Sequence, residues 1–330
     1  MIKKILLNII VLMQFIYAQN QGDEKMENIL MNKPFYTLKI NAVNTKIVIT
    51  LNGELVFEDF DRSQKLLDLP VNQFMQSGDN TLEVKLLSFK RDNLVLHPKT
   101  EATVALEVKE SGKFDIKPIK VSQISYMNGD TSNSTKDGSY PINQEEIKIS
   151  KLSQQTIDGL WTGETVKGIG LKQVIQLKTP FPRWKFLDSE KIMEENYNYI
   201  DNETYAKFRK RSDIEELYKL HEQIHDAVKR KDIDWIIKLF SERNEELEIA
   251  LYKPKGYYKK DLIDSFNENI NDVNNELLAL SKEKSYFFVS EDGKTIYLRN
   301  GLLFNDTKVG GSTTYKILFR KENGKWILTR

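Results

Sequence analysis

The sequence predicts two domains, an all-β sandwich followed by an α+β domain. Apolar and polar residues alternate from about residue 35, with turn residues between the runs and no convincing helix before residue 126. From residue 212 the apolar spacing becomes helical, and short apolar runs separated by Asp-Gly and Asn-Gly return at the end of the chain. A chain of 330 residues with 40% hydrophobic content is long enough for two such cores.

Residues 1–18 have the layout of a secretory signal peptide. Two lysines near the start precede a mostly apolar run over residues 5–17, and Ala18 ends the segment before Gln19. This run is shorter than the roughly 20 residues that a membrane-spanning helix needs. We therefore expect cleavage before Gln19 and a mature chain without a membrane span, located in the periplasm or secreted.

Charge and cysteine content narrow the possible partners. The full chain has 49 basic and 48 acidic residues, and loss of Lys3 and Lys4 with the leader makes the mature chain nearly neutral. This balance does not favour nucleic acid as a partner. The absence of cysteine excludes disulfides and lipid attachment through a cysteine, so packing must hold the exported chain together. Abundant Lys, Ile and Asn suggest a bacterial envelope protein.

Residues 19–34 are predicted to be a polar, extended lead-in segment before the first domain, and residues 35–185 are predicted to form the β-sandwich domain. Asn52-Gly53 lies between two apolar runs and predicts a type I′ hairpin, because both central residues of that turn need positive φ. The Gly-, Ser- and Asn-rich stretch at 128–139 is predicted to be a surface loop or a break. Further strands are predicted at 82–86, 104–108 and 171–178.

Residues 186–212 are expected to link the two halves. Ser212, with Glu215 three residues later, matches a capping box that would satisfy free N–H groups at the start of a helix. Apolar residues then recur at helical spacing through residue 228. A second helix is predicted at 233–247, a short strand at 248–252, a third helical region at 260–280, and strands at 285–289, 295–304, 313–320 and 325–329.

This order of helices and strands resembles the NTF2-like superfamily, which includes ketosteroid isomerase and SnoaL-type domains. The resemblance covers about residues 213–330. It rests on the element order, on Leu217, Ala227, Asp232, Leu239 and Phe240, and on the closing hairpin around Asn323-Gly324-Lys325-Trp326. It implies a cone formed by a curved sheet and the first helix, which some members use for catalysis and many for binding. The first half resembles Ig-like or jelly-roll modules in general pattern.

The motif from His221 to His225, His-Glu-Gln-Ile-His, matches the zinc-binding pattern H-E-x-x-H on a predicted helix. One helical turn would place both imidazoles on one face, with Glu222 positioned to act as the base on a metal-bound water. Val228 and Lys231 occupy positions where one zinc-protease class has glycine and a third histidine. We therefore expect no metal, with a zinc site as the alternative. Its third ligand could be Glu242, Glu245 or Glu246.

The same helix face predicts a ligand pocket. Tyr218, His221 and His225 fall within the apolar arc of the helix and should point inward, where polar groups need partners. Within the resemblance, this face looks toward the cone, so the three residues are candidate pocket residues. The alternative is that they are hydrogen-bonded within the core.

Aromatic residues are dense where the chain passes from one half to the other. Trp161, Phe181 and Trp184 could form an exposed surface for a partner. The alternative is that they form the contact between the domains.

These observations predict an exported, non-catalytic binding or interaction protein of the bacterial envelope. Its partner would be an unidentified protein or small molecule, and no cofactor is expected. Two alternatives remain open. One is a zinc-dependent hydrolase that uses His221, Glu222 and His225, and the other is a small-molecule-binding or isomerase-type NTF2-like domain.

Overall fold

A computed structural model describes most of the chain that follows the predicted leader. The described residues are 32–90, 94–113, 115–135, 147–161, 164–193, 202–283, 285–308 and 310–330. The predicted signal peptide and nearly all of the lead-in therefore lie outside the described residues. In the described part of the chain, no helix combines the length and apolar character needed to cross a membrane.

Two antiparallel sheets form the first half. The strands of the first sheet are, in spatial order, β4 (Lys65–Pro70), β1 (Pro34–Val43), β6 (Glu101–Glu110), β7 (Ile119–Met127) and β8 (Asp130–Thr135). Those of the second are β10 (Ser153–Trp161), β11 (Glu164–Leu177), β5 (Gly78–Leu87), β2 (Lys46–Leu51) and β3 (Glu54–Asp59), with β9 (Lys148–Ile149) pairing with β11. The two sheets enclose one shared apolar core, to which Leu38 and Val104 contribute from one side and Ile49 and Leu86 from the other.

The predicted hairpin at Asn52-Gly53 is confirmed. Strands β2 and β3 pair on either side of it, and φ is 54° at Asn52 and 81° at Gly53. Asparagine and glycine tolerate these angles better than other residues, which explains why the turn lies here. The stretch 128–139, expected to be a loop, instead contains β8, and the residues after Thr135 lie outside the described part.

The described residues contain five α-helices. They are α1 (Asn202–Arg209), α2 (Ser212–Lys229), α3 (Ile233–Leu239), α4 (Ser241–Ala250) and α5 (Tyr257–Asn271). Helix α1 lies within the segment expected to be a linker, and its Tyr205 and Phe208 are buried in the second core. The predicted capping box is wrong, because Ser212 is the first residue of α2 rather than its cap. Arg211 precedes the helix, and no side chain caps it.

Three further predictions in the helical region need correction. The helical region expected at 260–280 ends at Asn271, and Asn275–Leu277 form a strand. The helix expected at 233–247 is two helices, which meet at Phe240 because its backbone leaves the regular helical conformation there. The strand expected at 248–252 is instead the end of α4 and the turn that follows it. Phe240 is buried against Phe266 of α5, so tertiary packing places the break at this residue.

Seven short strands complete the second half of the described chain. One sheet contains β12 (Asn275–Leu277), β15 (Leu303–Asp306) and β16 (Gly311–Thr314), and the other contains β13 (Phe287–Val289), β14 (Thr295–Leu298), β17 (Leu318–Glu322) and β18 (Lys325–Leu328). The strand predicted at 295–304 is therefore two strands, β14 and β15, which belong to different sheets and are joined by a turn at 299–302. The strand predicted at 313–320 likewise covers parts of β16 and β17, which belong to different sheets.

The four-stranded sheet is buried on both faces. Phe287 and Val289 of β13 point into the helical core, whereas Phe288 between them packs against the outer face of the second sandwich sheet. In β17, Phe319 likewise points into the helical core and Leu318 packs against the second sandwich sheet. This follows from the two-residue side-chain period of a strand. The result is four stacked layers, three of sheet and one of helix, in which the two halves share a buried interface.

Candidate functional site

The two histidines of the sequence motif lie on the buried face of α2. His221 is 1% and His225 4% exposed. The Nδ1 of His221 is 2.9 Å from the carbonyl oxygen of Leu217, and the Nε2 of His225 is 2.7 Å from the carbonyl oxygen of Gly301. Because a carbonyl oxygen only accepts, each ring donates through that nitrogen. Both histidines are therefore hydrogen-bonded within the core.

The turn at 299–302 closes over these rings. A Cβ atom on Gly301 would lie 2.9 Å from Cδ2 of His221 and 2.9 Å from the carbonyl oxygen of Leu298. Only glycine therefore allows this close approach. Phe319 packs edge-on against the His221 ring, with the ring centroids 5.2 Å apart. Tyr218, the third predicted pocket residue, is also buried, and the ammonium of Lys282 lies over its ring.

Burial also keeps the two histidines neutral. It lowers the pKa of His221 to about 4, with the nearby His225 acting in the same direction and the bond to Leu217 opposing. Burial likewise lowers the pKa of His225. Neither ring gains a proton near neutral pH, so acid–base chemistry by these residues is not favoured there.

The other components of the zinc motif are dispersed. Glu222 is exposed, on the flank of the helix face that carries the buried rings. Of the candidate third ligands, Glu242 forms two bonds to Arg320, at 2.7 and 2.8 Å, and Glu246 lies 3.1 Å from Arg330. Among the described residues, no group of three or more His, Cys, Asp or Glu side chains is placed to hold a metal ion.

The predicted aromatic surface is largely internal. Phe181 is 7% and Trp184 1% exposed, and their rings stack with centroids 5.9 Å apart. The indole N–H of Trp184 donates to the carbonyl oxygen of Met75 at 2.7 Å, and Phe181 also contacts Tyr252 from the second half. These two residues therefore belong to the contact between the halves. The side chain of Trp161 lies outside the described residues.

A cleft of about 170 Å³ lies between the two halves and was not anticipated from the sequence. The sandwich contributes a short turn at Asn72–Phe74, and the second half contributes α4, β17 and the residues beside these elements. Its lining consists of Gln73, Phe74, Arg243, Leu247, Lys316, Leu318 and Arg330. It therefore contains three cationic side chains and no carboxylate side chain. We refer to it below as the interdomain cleft.

Asn72 fixes the two walls of the cleft relative to each other. It is fully buried, and its amide donates to the carbonyl oxygens of Pro34 and Ala250, at 3.1 and 2.7 Å. Its side-chain oxygen accepts from the backbone N–H of Tyr36 at 2.6 Å. One side chain thus joins the sandwich to the end of α4, which presents Arg243 and Leu247 on one face at a spacing of four residues.

Arg330 reaches the cleft from the buried interface. Its guanidinium lies over the Phe186 ring at 4.6 Å, donates to the carbonyl oxygen of Gln73 at 2.8 Å, and lies 3.1 Å from Glu246. Burial lowers the pKa of Arg330, and Glu246 opposes this effect. Among the described residues its Nε has no hydrogen-bond partner.

Lys316 and Arg243 supply the other two charges. The ammonium of Lys316 donates to the carbonyl oxygen of Leu55 at 2.9 Å, and Arg243 donates to the side-chain oxygen of Asn244 at 2.8 Å. Within the described part of the chain, neither cation has a carboxylate within 4 Å. An anion in the cleft would therefore stabilise both charges.

Glu54 lies deep in the same interface. It is 1% exposed, and its Oε1 accepts from the hydroxyl of Thr295 at 2.6 Å, whereas its Oε2 has no partner among the described residues. Burial raises the pKa of Glu54 to about 7, assisted by Asp292 and opposed by Thr295, Lys316 and Arg330. This carboxyl is therefore partly protonated at neutral pH and does not fully neutralise the cations of the cleft.

A larger cleft, of about 320 Å³, lies on the helical side. It presents two lysines and two glutamates, Lys185, Lys238, Glu242 and Glu245, beside Trp326. The charges balance, and Glu242 is already held by Arg320. The smaller interdomain cleft is thus the one with unbalanced side-chain charge.

No protein family, curated protein or solved structure matches this chain. The assignment of a site therefore depends on the geometry described here. Sequence patterns could not identify the interdomain cleft, because Gln73, Arg243, Lys316 and Arg330 come from distant segments and form no motif. The density of aromatic residues around Trp184 was the one signal that pointed to this part of the molecule.

Proposed function

We propose that this chain is an exported, non-catalytic binding protein of the bacterial envelope, and that it binds small anions in the interdomain cleft. The observation that carries the proposal is the convergence of Arg243, Lys316 and Arg330 on a cleft without a carboxylate side chain in its lining. Ligand sites are common where two domains meet, because each domain contributes a different wall. The leader-like residues 1–18 support export.

The histidine helix supports a binding role more than a hydrolytic one. A catalytic zinc needs three protein ligands and an open position for water. Here both rings are buried and donate to carbonyl oxygens, and the nominal base Glu222 is exposed. His221 and His225 therefore serve to fix the turn at Gly301 against α2.

The NTF2-like assignment of about residues 213–330 is part of the same proposal. The order of α2, α3 and α5 followed by antiparallel strands supports it, as does the packing of α2 against the four-stranded sheet. An isomerase-type cone would use Tyr218, His221 and His225 as open pocket residues. Their burial and hydrogen bonds favour a filled helix–sheet core instead.

Thermal melts with a panel of anions test the proposal. At constant ionic strength, acetate, butyrate and phosphate are compared with chloride. At least one should raise the melting temperature, because a ligand that binds only the folded state stabilises it in proportion to ln(1 + [L]/Kd). The increase should be lost in Arg243→Met. In Arg230→Met, which removes an exposed arginine at the end of α2, it should be retained. Equal responses in all three proteins would contradict the proposal.

A further inference from the structure

The interdomain cleft combines charge with apolar walls. Phe74, Leu247 and Leu318 line it together with the cations. A fully hydrated inorganic anion gains nothing from apolar walls, whereas a ligand with a hydrocarbon portion is stabilised by burying it there. The lining therefore fits a ligand that has both an anionic group and a short apolar body.

Donor geometry favours a carboxylate as the anionic group. Arg330 and Arg243 both line the cleft and both carry a guanidinium group. A planar guanidinium suits the two oxygens of a carboxylate. Glu246, at 3.1 Å from Arg330, already supplies one negative charge next to the cleft. The three cations exceed this charge, so net charge alone does not distinguish a carboxylate from a phosphate; the preference for a carboxylate rests on the planar guanidinium groups and the apolar walls.

The size of the cleft limits the ligand. Its volume of about 170 Å³ accommodates roughly six groups the size of a water molecule, at about 30 Å³ each. We infer that the interdomain cleft binds a short aliphatic carboxylate of about four or five carbon atoms. This inference rests on the proposed function and specifies the chemical class of its ligand. The carboxylate contacts Arg330 and Arg243, and the alkyl chain lies against Phe74, Leu247 and Leu318.

A chain-length series measured by titration calorimetry on the wild-type protein tests the inference without any substitution. From acetate to valerate, affinity should rise about 2- to 4-fold per methylene, because each CH₂ leaves water for the apolar wall. It should fall again for octanoate, which exceeds the volume of the cleft. An affinity that does not depend on chain length, or that continues to rise through octanoate, would overturn the inference.

Three comparison ligands separate the contribution of the negative charge to affinity from that of the alkyl chain. Pentanol has the alkyl chain of valerate without the charge, pentylamine has the opposite charge, and phosphate has charge without a chain. Pentanol should bind at least about 10-fold more weakly than valerate, because a hydrogen bond between charged groups is lost. Pentylamine should not bind detectably. Phosphate should be the weakest of the anions.

Variants locate the site. Arg243→Met should weaken valerate binding at least about 10-fold, whereas Lys238→Met, which removes a cation from the other cleft, should leave it unchanged. Circular dichroism confirms that each variant is folded. Equal binding of phosphate and valerate, with loss of both in Arg243→Met, would overturn the carboxylate assignment while leaving the proposed anion site intact. Absence of binding by every anion would overturn both.

The carboxylate could belong to a free acid or to the C-terminal residue of a peptide. N-formylglycine distinguishes these sources, because it has as many non-hydrogen atoms as valerate and carries a carboxylate together with a peptide bond. Binding as tight as that of valerate would assign the site to a chain terminus. Binding at least about 10-fold weaker, as expected if the amide must leave water without a partner, would assign it to a free acid.

Discussion

Replacement of Lys85 by methionine should lower the free energy of unfolding by about 3 to 5 kcal/mol, because it leaves buried carboxylates without their cation. Lys85 lies on β5 with its side chain 1% exposed. Its ammonium pairs with Glu291 from the second half and lies 3.8 Å from Glu83. Burial lowers the pKa of Lys85 to about 8, and Glu83 opposes that shift.

The size of this effect follows from the position of Lys85 between the halves. The backbone N–H of Glu291 donates to the carbonyl oxygen of Gly53, so the residue that receives the lysine is itself fixed to the sandwich. Glu83 also accepts a hydrogen bond from the side-chain amide of Gln155 at 3.0 Å. This bond stabilises the buried carboxylate in part but does not replace the cation. Loss of Lys85 therefore weakens the interface as well as the strand.

Urea denaturation of Lys85→Met measures this loss. The matched control is Lys39→Met on β1, where the lysine is exposed and its removal should change stability by less than about 0.5 kcal/mol. A Lys85→Met protein as stable as the control would show that the ion pair does not hold the halves together.

Glu54 should make the stability of the protein depend on pH. Its pKa is raised from 4.5 to about 7, mainly by burial. Because the folded state holds this proton more tightly than the unfolded state, its stabilising effect is complete below about pH 4.5 and is lost as the pH rises through about 7. Since one pKa unit corresponds to about 1.4 kcal/mol, the total change is about 3 kcal/mol.

Comparison of the wild-type protein with Glu54→Gln isolates this contribution. The variant should gain about 2 to 4 kcal/mol relative to wild type between about pH 5 and about pH 8, because glutamine carries no buried charge. Glu101→Gln, at the exposed start of β6, should show no such gain. Parallel pH profiles for wild type and Glu54→Gln would contradict the description of Glu54 as a buried, partly protonated carboxyl.

The sequence predicts strands correctly where apolar and polar side chains alternate along the whole segment. The alternation before residue 126 and the Asn52-Gly53 turn specify β2, β3, β5 and β6, because side-chain period and turn conformation are local properties. The sequence does not reveal that β13, β14 and β17 are buried on both faces. A strand that is buried on both faces no longer alternates apolar with polar side chains. The sequence pattern therefore does not indicate which element packs on its second face.

Breaks within apolar runs were the most difficult features to predict. Residues 295–304 read as one strand, yet the chain turns at 299–302 so that Gly301 can cover the histidines. The helix expected at 233–247 is interrupted at Phe240, whose ring packs against Phe266. In both places a tertiary contact determines the local structure, and a single sequence contains no separate signal for it.

For the candidate site, helical spacing placed Tyr218, His221 and His225 on the inward face, where the structure has them. Spacing cannot distinguish an open pocket from a filled core, because that depends on Gly301 and Phe319 from distant strands. The interdomain cleft was missed for the same reason. Its cations lie close together only after the two halves have packed.

Zinc analysis of the mature protein tests most directly whether function lies outside the histidine helix. The protein should purify with far less than one zinc per chain, and a chelator should leave its melting temperature unchanged, because no metal-binding energy is linked to folding. One zinc per chain held by His221 and His225 would contradict this conclusion. So would a melt sensitive to chelator and a Glu222→Gln variant that keeps the metal but loses hydrolysis.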